Sequence, residues 1–226
     1  LDGGFGNDTL DGGSGADTID GNYNNDAIAG GDGDDTISST AGTDTLFGGT
    51  GNDTITGGTG SNKLFGDDGN DTLVAGASGD ILFGGSGSDT ITGGLGLDSI
   101  VGGAGNDAIS GGGAADTLTG SGGSDTFIYT AASDSVSGAV DVIVDFNATD
   151  NFEDIVFKGF AVGGFNFLGN ESSVFTGGSN NSEARFNDTS KLLEIDSDGN
   201  GTADMAITLT DVNLSDLGND DFSVVA

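Results

Sequence analysis

The sequence predicts an all-β protein in which a parallel β-roll, built from two sheets of short strands, is followed by an antiparallel β cap. Three observations predict the roll: an acidic residue recurs every nine residues, a large apolar residue follows two places later, and a glycine-rich run comes before it. No residue is inserted or deleted between Gly3 and Ile128, so fourteen nonapeptides share one register. A short fixed period of this kind is the signature of a solenoid.

The recurring acid stands at the sixth place of the nonapeptide, and Asn62 is the one departure. Aspartate favours turns, which would explain isolated occurrences. Turn preference does not explain thirteen aspartates at one spacing in a chain with only 4 basic residues to pair with them. These side chains are the predicted metal ligands: Asp8, Asp17, Asp26, Asp35, Asp44, Asp53, Asp71, Asp80, Asp89, Asp98, Asp107, Asp116 and Asp125.

Each nonapeptide divides into a turn and a strand. Its first six residues are rich in glycine, which accepts the left-handed dihedrals of a tight turn. Its last three alternate polar, apolar and polar, as in Thr54-Ile55-Thr56, which is typical of a short strand with one buried face. One unit reverses the chain once, so two units of 18 residues in total complete a coil, and stacked coils form two parallel sheets. The apolar residues then form two facing columns, one with Ile19, Ile37 and Ile55 and the other with Leu10, Ile28 and Leu46.

The charge of the chain excludes several classes of partner. It has 37 acidic and 4 basic residues and a formal charge of -33, whereas a nucleic-acid-binding surface is basic. The same charge argues against binding to an anionic membrane surface, and no run of 18 apolar residues could form a membrane span. There is no cysteine, so disulfides cannot stabilise the fold, and bound metal is the natural substitute.

Calcium is the cation that this pattern favours. In stacked coils, equivalent turns lie one step apart with their carboxylates facing each other, and such like charges repel unless a divalent cation lies between them. Hard oxygen ligands suit calcium, whereas magnesium demands tighter geometry and retains its water. Besides the aspartates, the predicted ligands are turn carbonyls of Gly13, Gly15, Gly31, Gly33, Gly49, Gly51, Gly85, Gly87, Gly103 and Gly105.

Residues 3–128 closely resemble the repeats-in-toxin (RTX) parallel β-roll, whose nonapeptide reads G-G-x-G-x-D-x-U-x, with U a large apolar residue. The resemblance implies a right-handed roll with calcium bound between successive turns on each edge. It also implies export of the unfolded chain through the type I secretion machinery and folding outside the cell. The chain begins within the repeat pattern, so we expect it to be a fragment of a longer protein.

Alternate turns fall on opposite edges of the roll. The even turns, which form the even edge, all end in aspartate and keep glycine at the fourth place; they start at Gly12, Gly30, Gly48, Gly66, Gly84, Gly102 and Gly120. The odd turns, which form the odd edge, mostly depart from the motif; they start at Gly3, Gly21, Ser39, Gly57, Ala75, Gly93 and Gly111. We therefore predict about six calcium sites on the even edge. On the odd edge we predict fewer or weaker sites, with a gap beside Asn62.

A column of apolar side chains is predicted on the outer face of the odd strands. Phe47, Phe65, Phe83 and Val101 are spaced eighteen residues apart, and Ile81 lies on the same face. Such an exposed apolar patch usually marks a contact. The partner is either a neighbouring part of this chain, an upstream domain of the parent protein, or a second copy. A platform for stacking sugars is a further alternative.

Residues 129–226 are predicted to form a second unit that caps the roll with strands. Runs such as 140–144, 153–157, 165–168, 192–195 and 205–209 have the composition of strands. Residues 141–146 and 196–204 resemble the segment after the roll in serralysin-type proteases. The final residues, 220–226, resemble the uncleaved C-terminal signal of type I secretion substrates, and the alternative is a last edge strand.

The sequence also suggests a further metal site within this cap, in the loop at residues 196–204. Asp196, Asp198, Asn200 and Asp204 match places one, three, five and nine of an EF-hand loop. Place twelve is Ile207 and not glutamate, and no flanking helices are evident. A hairpin turn that joins two strands is the alternative interpretation.

The sequence thus predicts a calcium-binding module at the C-terminal end of a larger secreted protein, located outside the cell or on a bacterial surface. The alternatives are a structural part of a surface-layer protein or adhesin, and an accessory module of a secreted enzyme such as a serralysin-like protease or an alginate epimerase. No active site is predicted within the chain, which has no histidine and no cysteine.

Overall fold

The computed structural model describes residues 1–136, 139–147, 153–158, 165–170, 182–196, 202–210, 212, 215, 217 and 221–225. Strands of the first sheet in the roll are β1 Thr9–Ser14, β3 Ala27–Asp32, β5 Thr45–Thr50, β7 Lys63–Asp68, β9 Ile81–Ser86, β11 Ser99–Ala104 and β13 Thr117–Gly122. Those of the second are β2 Thr18–Asp20, β4 Thr36–Ser38, β6 Thr54–Gly58, β8 Thr72–Gly76, β10 Thr90–Leu95, β12 Ala108–Gly113 and β14 Thr126–Tyr129.

In the described residues of the C-terminal part there are one 3₁₀ turn, η1 Ala132–Asp134, and seven strands. These strands are β15 Asp141–Ile143, β16 Asp154–Lys158, β17 Phe165–Asn170, β18 Ser182–Asn187, β19 Leu192–Asp196, β20 Met205–Leu209 and β21 Phe222–Val225. No helix among the residues described has the length and apolar character needed to cross a lipid bilayer.

Odd and even strands of the roll belong to two separate parallel sheets. Each strand pairs with the strand two further along the chain, so that Ile19 aligns with Ile37 and Ile37 with Ile55. The register step of eighteen residues holds throughout the roll, which confirms the predicted coil. The first sheet contains twelve strands in all and the second contains nine.

Each of the two sheets contributes a single layer of large apolar side chains to the interior of the roll. The eighth-place residue points inward, and from Ile19 to Phe127 every such side chain is at most 1% exposed. Its neighbours in the strand point outward, which is the alternation that the sequence predicts. Each nonapeptide contributes one large apolar side chain to this interior, so the hydrophobic contribution per residue is small.

Several turns keep their shape although glycine has been replaced. The second and fourth places of most turns have positive φ, which favours glycine. Where glycine is missing, Asn22 and Asn24 hold φ at 68° and 76°, Asp67 at 72°, and Ser121 at 76°. Asparagine and aspartate tolerate this region better than most residues. The turn at Gly21, which the sequence shows as irregular, therefore keeps the backbone of its neighbours.

The C-terminal strands continue the two sheets before they fold back. β15 and β16 pair in parallel with β13 and β14, and β20 and β21 pair in parallel with β15 and β16. The predicted antiparallel pairing is confirmed among β18, β19 and β20. The runs predicted as antiparallel that became β15, β16 and β17 pair in parallel instead, because β15 and β16 extend the sheets of the roll and β17 lies parallel to β18. This arrangement covers the last coil of the roll with buried apolar residues, including Phe157, Phe186 and Leu193.

Candidate metal-binding edges

The sixth-place side chains form a continuous hydrogen-bonded ladder along each edge. One carboxylate oxygen, Oδ1, accepts a hydrogen bond from the backbone N–H of the sixth residue in the preceding coil, as Asp35 does from Asp17 at 2.7 Å. The N···O distances along the two edges lie between 2.6 and 2.9 Å. Each carboxylate thus bridges two coils, and we call each such step a rung.

The other carboxylate oxygen, Oδ2, is buried and has no hydrogen-bond partner. This holds for all thirteen sixth-place aspartates of the roll. From Asp26 to Asp125 these residues are at most 3% exposed. A buried ionised group without a partner is costly, and native proteins pair such groups with hydrogen bonds, opposite charges or metal ions. Two aligned rows of such oxygens therefore point to a bound cation.

Burial raises the pKa of several sixth-place carboxyl groups above the usual value of 3.8. Burial raises the pKa of Asp98 to about 7 and those of Asp71, Asp107 and Asp116 to about 6. The hydrogen bond from the preceding coil lowers each pKa, and neighbouring acids raise it further. The folded backbone therefore disfavours the ionised carboxylates that a divalent cation would neutralise.

Asn62 shows which atoms surround the sixth-place side chain. Its amide nitrogen donates hydrogen bonds to the carbonyl oxygens of Gly57 and Gly60, both at 3.1 Å. These are the first and fourth residues of its own turn. In a turn with the same backbone but with aspartate at the sixth place, the first-place and fourth-place carbonyl oxygens would face the unprotonated Oδ2 atom of that aspartate. Oxygens converging in this way can hold a hard cation such as calcium, so the residues present fit the ion.

The glycine at the first place leaves room for this arrangement. A Cβ atom at Gly84 would lie 2.2 Å from Asp89 Oδ2 and 2.5 Å from the carbonyl oxygen of Gly102 in the next coil. Similar contacts recur at Gly30, Gly48 and other first-place glycines. On the odd edge, Ser39 and Ala75 carry a Cβ atom at this place. The Oδ1 atoms of Asp44 and Asp80 nevertheless accept the same hydrogen bonds as in the other turns, and their Oδ2 atoms also have no partner.

A second ladder, which the sequence analysis missed, runs along the even edge. The fifth-place side chain accepts a hydrogen bond from the fifth-place N–H of the next coil, opposite in direction to the aspartate ladder. The series passes through Asp34, Asn52, Asn70, Ser88, Asn106 and Ser124. On the odd edge, the corresponding hydrogen bonds link Asn7, Asn25 and Thr43. Within the turns that the structure describes, this odd-edge series ends at Thr43. The signal was the recurrence of Asn, Asp and Ser at the fifth place of even turns.

Asp141 adds a rung that the nine-residue spacing did not reveal. Its Oδ1 accepts the N–H of Asp116 at 2.8 Å, although 25 residues separate the two, because seven extra residues precede it. Asp141 is fully buried, with its pKa raised to about 8 by burial. The Tyr129 hydroxyl is a neighbour that lowers this pKa, although its geometry falls short of a regular hydrogen bond. The signal was the Asp-x-aliphatic triplet Asp141-Val142-Ile143.

The remaining predicted site residues fall in three places. The predicted glycines lie in the even turns and all have positive φ: Gly13, Gly15, Gly31, Gly33, Gly49, Gly51, Gly85, Gly87, Gly103 and Gly105. Asp196 and Asp204 flank the connection of the β19–β20 hairpin, which agrees with the hairpin interpretation. Asp198 and Asn200 lie outside the described residues. Within the described residues, no group of three or more His, Cys, Asp or Glu side chains could by itself hold a metal ion.

The aromatic column forms on the outer face as predicted. The ring centroids of Phe47 and Phe65 are 4.7 Å apart, and those of Phe65 and Phe83 are 5.2 Å apart, with nearly parallel planes. Val101 aligns with Phe83 in the adjacent strand, and Ile81 is exposed on the same face. Rings stacked in this way cover each other's faces and leave mainly their edges to solvent.

The fold and its two rows of acidic oxygens define a calcium-binding β-roll. A family model of the RTX calcium-binding nonapeptide repeat, in four copies, matches residues 2–37, 38–73, 65–100, 74–109 and 92–127. The matches together span residues 2–127, more than half of the 226 residues, so the chain belongs to this family. The repeats make it a calcium-binding module of secreted proteins. No curated protein matches the chain.

Proposed function

We propose that this chain is a calcium-driven folding module, which is exported unfolded by type I secretion and folds on extracellular calcium at the C-terminal end of a larger secreted protein. The observation that supports the proposal most directly is the row of buried Oδ2 atoms without partners on each edge. Inside a cell, where calcium is scarce, repulsion among these acids keeps the chain extended. Outside, millimolar calcium matches the affinities typical of extracellular modules, and binding free energy becomes folding free energy.

We further propose about six calcium ions on the even edge, one between each pair of stacked turns, and fewer on the odd edge. The contacts of Asn62 support fourth-place carbonyls, such as those of Gly15, Gly33 and Gly51, as ligands. They also support first-place carbonyls, which the sequence analysis did not consider. Ligation by second-place carbonyls, such as that of Gly13, stays a prediction. The gap on the odd edge falls at Asn62, whose amide already occupies the two carbonyls.

Calcium titration followed by circular dichroism tests the folding role. We expect little regular structure in the presence of EDTA and a cooperative gain of β signal as calcium rises, whereas magnesium at equal concentration has little effect. The number of ions bound at the end of the transition, measured by native mass spectrometry, tests the site assignment. A spectrum that stays unchanged after chelation, or equal numbers of ions on the two edges in a crystal structure, would contradict the proposal.

A role in assembly is the second candidate, and the exposed aromatic column favours it. Phe47 and Phe83 are each 38% exposed, and Ile81 is 37% exposed beside them. An upstream domain or a second copy could cover this face, as in an adhesin or a surface-layer protein. Size-exclusion chromatography with light scattering in calcium separates these partners. A monomer at every concentration would argue against a second copy.

The secretion signal is a separate part of the proposal. Residues 222–225 form β21, which pairs with β16 in the folded chain, so the segment is a strand once folding is complete. A signal that acts before folding is compatible with this strand. Export of a fusion protein with and without residues 220–226 tests it, and unchanged export of the shortened chain would contradict the assignment.

A further inference from the structure

The roll meets the C-terminal cap, which consists of β15–β21, at Asp141 on the odd edge. Asp141 begins β15, which pairs in parallel with β13 of the roll. It lies after residue 127, where the matches to the nonapeptide family end. Its Oδ1 atom accepts the Asp116 N–H at 2.8 Å, so this rung joins the last odd turn of the roll to the cap.

Three buried oxygen atoms at this junction have no hydrogen-bond partner. They are Oδ2 of Asp116, Oδ2 of Asp141 and the hydroxyl oxygen of Tyr129, and the three residues are 1%, 0% and 1% exposed. The two carboxylates lie one coil apart, and like charges so placed repel unless a cation lies between them. The hydroxyl is an independent indication of a site, because native proteins rarely leave a buried polar atom without a partner.

The Tyr129 hydroxyl is placed to favour the ionised form of Asp141. Burial has the largest effect on the pKa of Asp141 and raises it, whereas the Tyr129 hydroxyl lowers it. Burial also raises the pKa of Tyr129 well above its usual value, so the hydroxyl keeps its proton and can donate. The ring of Tyr129 is held by Phe157 of β16, with ring centroids 6.0 Å apart. Since a cation binds the ionised carboxylate, this arrangement favours metal binding.

The turn before Asp116 keeps the shape of the other acidic turns. Ala114 stands at the fourth place, where most turns have glycine, and it holds φ at 98°, a region that alanine rarely adopts. A Cβ atom at Gly111 would lie 2.4 Å from Asp116 Oδ2, a close approach like those at the other first-place glycines. The carbonyls of Gly111 and Ala114 therefore correspond to the first-place and fourth-place carbonyls that the Asn62 amide contacts in its own turn.

Ser135 connects this rung to the rest of the cap. The Asp141 N–H donates to Ser135 Oγ at 2.8 Å, and this hydroxyl donates to the carbonyl oxygen of Ala206. The Ala206 N–H in turn donates to the Ser135 carbonyl oxygen at 3.0 Å. Ala206 lies in β20, which pairs with both β15 and β19. A ligand that fixes Asp141 therefore orders β15 and β20 together.

We propose that a further calcium ion binds at this junction, where the carboxylates of Asp116 and Asp141 hold it, and joins the C-terminal cap to the roll. The carbonyls of Gly111 and Ala114 contribute further oxygen ligands, and Tyr129 is a positioning residue for Asp141. This inference rests on the proposed calcium-driven folding and adds an ion outside the nonapeptide repeats. It makes the order of the cap depend on calcium as well as that of the roll.

Counting ions tests the junction site directly. Asp141→Asn removes the charge and keeps the shape, and native mass spectrometry in saturating calcium is expected to show one ion fewer than in the parent chain. At calcium 100 times the Kd of the site, hydrogen exchange in peptides from β15 and β20 is expected to become about a hundredfold faster. The matched control is Asp188→Asn, which removes an exposed acid of the cap that pairs with Lys191 and is expected to change neither readout. Unaltered ion number and exchange in Asp141→Asn would overturn the site.

Terbium luminescence tests the site without requiring that Asp141→Asn folds. The chain has two tyrosines and no tryptophan, so Tyr129 is the only tyrosine in a Tyr23→Phe background. With terbium in place of calcium, excitation of Tyr129 is expected to sensitise the emission of the bound ion. Adding Asp141→Asn should remove most of this emission, whereas adding Asp53→Asn, on the distant part of the even edge, should leave it. Absence of sensitised emission in Tyr23→Phe would overturn the site.

Tyr129→Phe tests the positioning role, because it keeps the ring and removes the hydroxyl. We expect the same number of ions at saturation, but the calcium concentration that gives half-maximal protection of β20 should rise about tenfold. An unchanged midpoint would overturn the role of Tyr129. Failure of the parent roll to fold in calcium would instead overturn the proposed function, whereas a folded roll with its full number of ions in Asp141→Asn would overturn the junction site alone.

Discussion

The even and odd edges of the roll share one backbone period but use different chemistry. Every even turn begins with glycine and ends with aspartate, and a second ladder of fifth-place side chains links even turns from Asp34 to Ser124. The odd edge keeps the aspartate ladder but includes Asn62, Ser39 and Ala75, and its fifth-place ladder stops at Thr43. The even edge is thus uniform, whereas the odd edge varies along its length.

This difference shows that a solenoid does not need the same stabilising contacts at every step. Each coil contacts only its two neighbours, so stability is close to a sum of local terms. Where metal ligands are incomplete, an amide or a stacked ring can hold the adjacent coils.

The first prediction compares the loss of one acid from each edge. Asp53→Ala removes an even-edge acid, and Asp44→Ala removes an odd-edge acid beside Asn62; each also removes the acceptor of one backbone N–H. At saturating calcium we expect Asp53→Ala to lower the free energy of unfolding by about 3 kcal/mol, since a site filled at 100 Kd contributes about that amount. We expect about 1 kcal/mol for Asp44→Ala, because mainly the hydrogen bond is lost.

Denaturant unfolding in calcium measures these two changes, and native mass spectrometry counts the ions lost. The control is to measure the same two variants in EDTA, where the difference between their free energies of unfolding should shrink. Equal destabilisation and equal loss of ions in calcium would remove the distinction between the edges.

The second prediction exchanges the first-place residues of the two edges. Gly84→Ala places a Cβ atom 2.2 Å from Asp89 Oδ2, and we expect it to weaken one even-edge site and destabilise the calcium-bound roll by about 2 kcal/mol. Ala75→Gly should strengthen an odd-edge site and raise calcium affinity, despite the entropic cost of about 0.5–1 kcal/mol for added glycine. Isothermal titration calorimetry measures the calcium affinity of both variants. The prediction requires a lower affinity for Gly84→Ala and a higher affinity for Ala75→Gly.

The third prediction concerns the fifth-place ladder. Asn70→Ala removes the acceptor for the Ser88 N–H, and we expect a loss of about 1 kcal/mol with no change in the number of bound ions. The matched control is Ser61→Ala, at the exposed fifth place of an odd turn, where we expect almost no change. A loss of calcium from Asn70→Ala would mean that the second ladder belongs to the metal sites.

The fourth prediction concerns pH and should affect both edges alike. Burial raises the pKa values of Asp71 and Asp107 on the even edge and of Asp116 on the odd edge to about 6, from 3.8. A carboxyl group with a raised pKa in the folded chain favours folding when protonated. That contribution is complete below about pH 4 and is lost as the pH rises through 6 to 7.

Acidification in EDTA from pH 8 to pH 4 should therefore increase residual β structure in the far-ultraviolet circular dichroism spectrum. Saturating calcium should abolish this dependence between pH 8 and pH 5, because both the unfolded and the calcium-bound carboxyl groups are then ionised. Residual structure that falls on acidification in EDTA would contradict the assignment of these carboxyl groups as buried and unneutralised.

The sequence predicted those features that follow from the nine-residue period. The inward columns, the two parallel sheets and the stacking of Phe47 on Phe65 all depend on which residues lie eighteen apart, and this spacing is visible in the chain. The strands of the C-terminal part were also predicted, because strand composition is local, but their direction depends on pairing and was predicted correctly only for the antiparallel β19 and β20.

Other features depend on atoms that a residue pattern does not specify. The sequence predicted a gap in the calcium sites beside Asn62, but it did not show that the Asn62 amide donates to Gly57 and Gly60 and so maintains the turn. The sequence did not reveal that Asp141 continues the aspartate ladder, because seven additional residues interrupt the eighteen-residue spacing before it. The fifth-place ladder was missed because Asn, Asp and Ser replace one another there while making the same hydrogen bond.

The hydrogen bonds that join residues eighteen apart restrict how such a protein can change in length. Adding or deleting a single residue within a strand of the roll would turn inward side chains outward in the rest of that strand, whereas extra residues between strands can be looped out, as the seven before Asp141 are. A nine-residue change would keep the interior but transfer each later turn to the opposite edge, so that Phe83 would no longer lie over Phe65. Among changes that leave every turn at its present length, one of eighteen residues is the smallest that preserves both the interior and the identity of each edge, which makes a pair of repeats the smallest regular unit by which evolution or design can lengthen this roll.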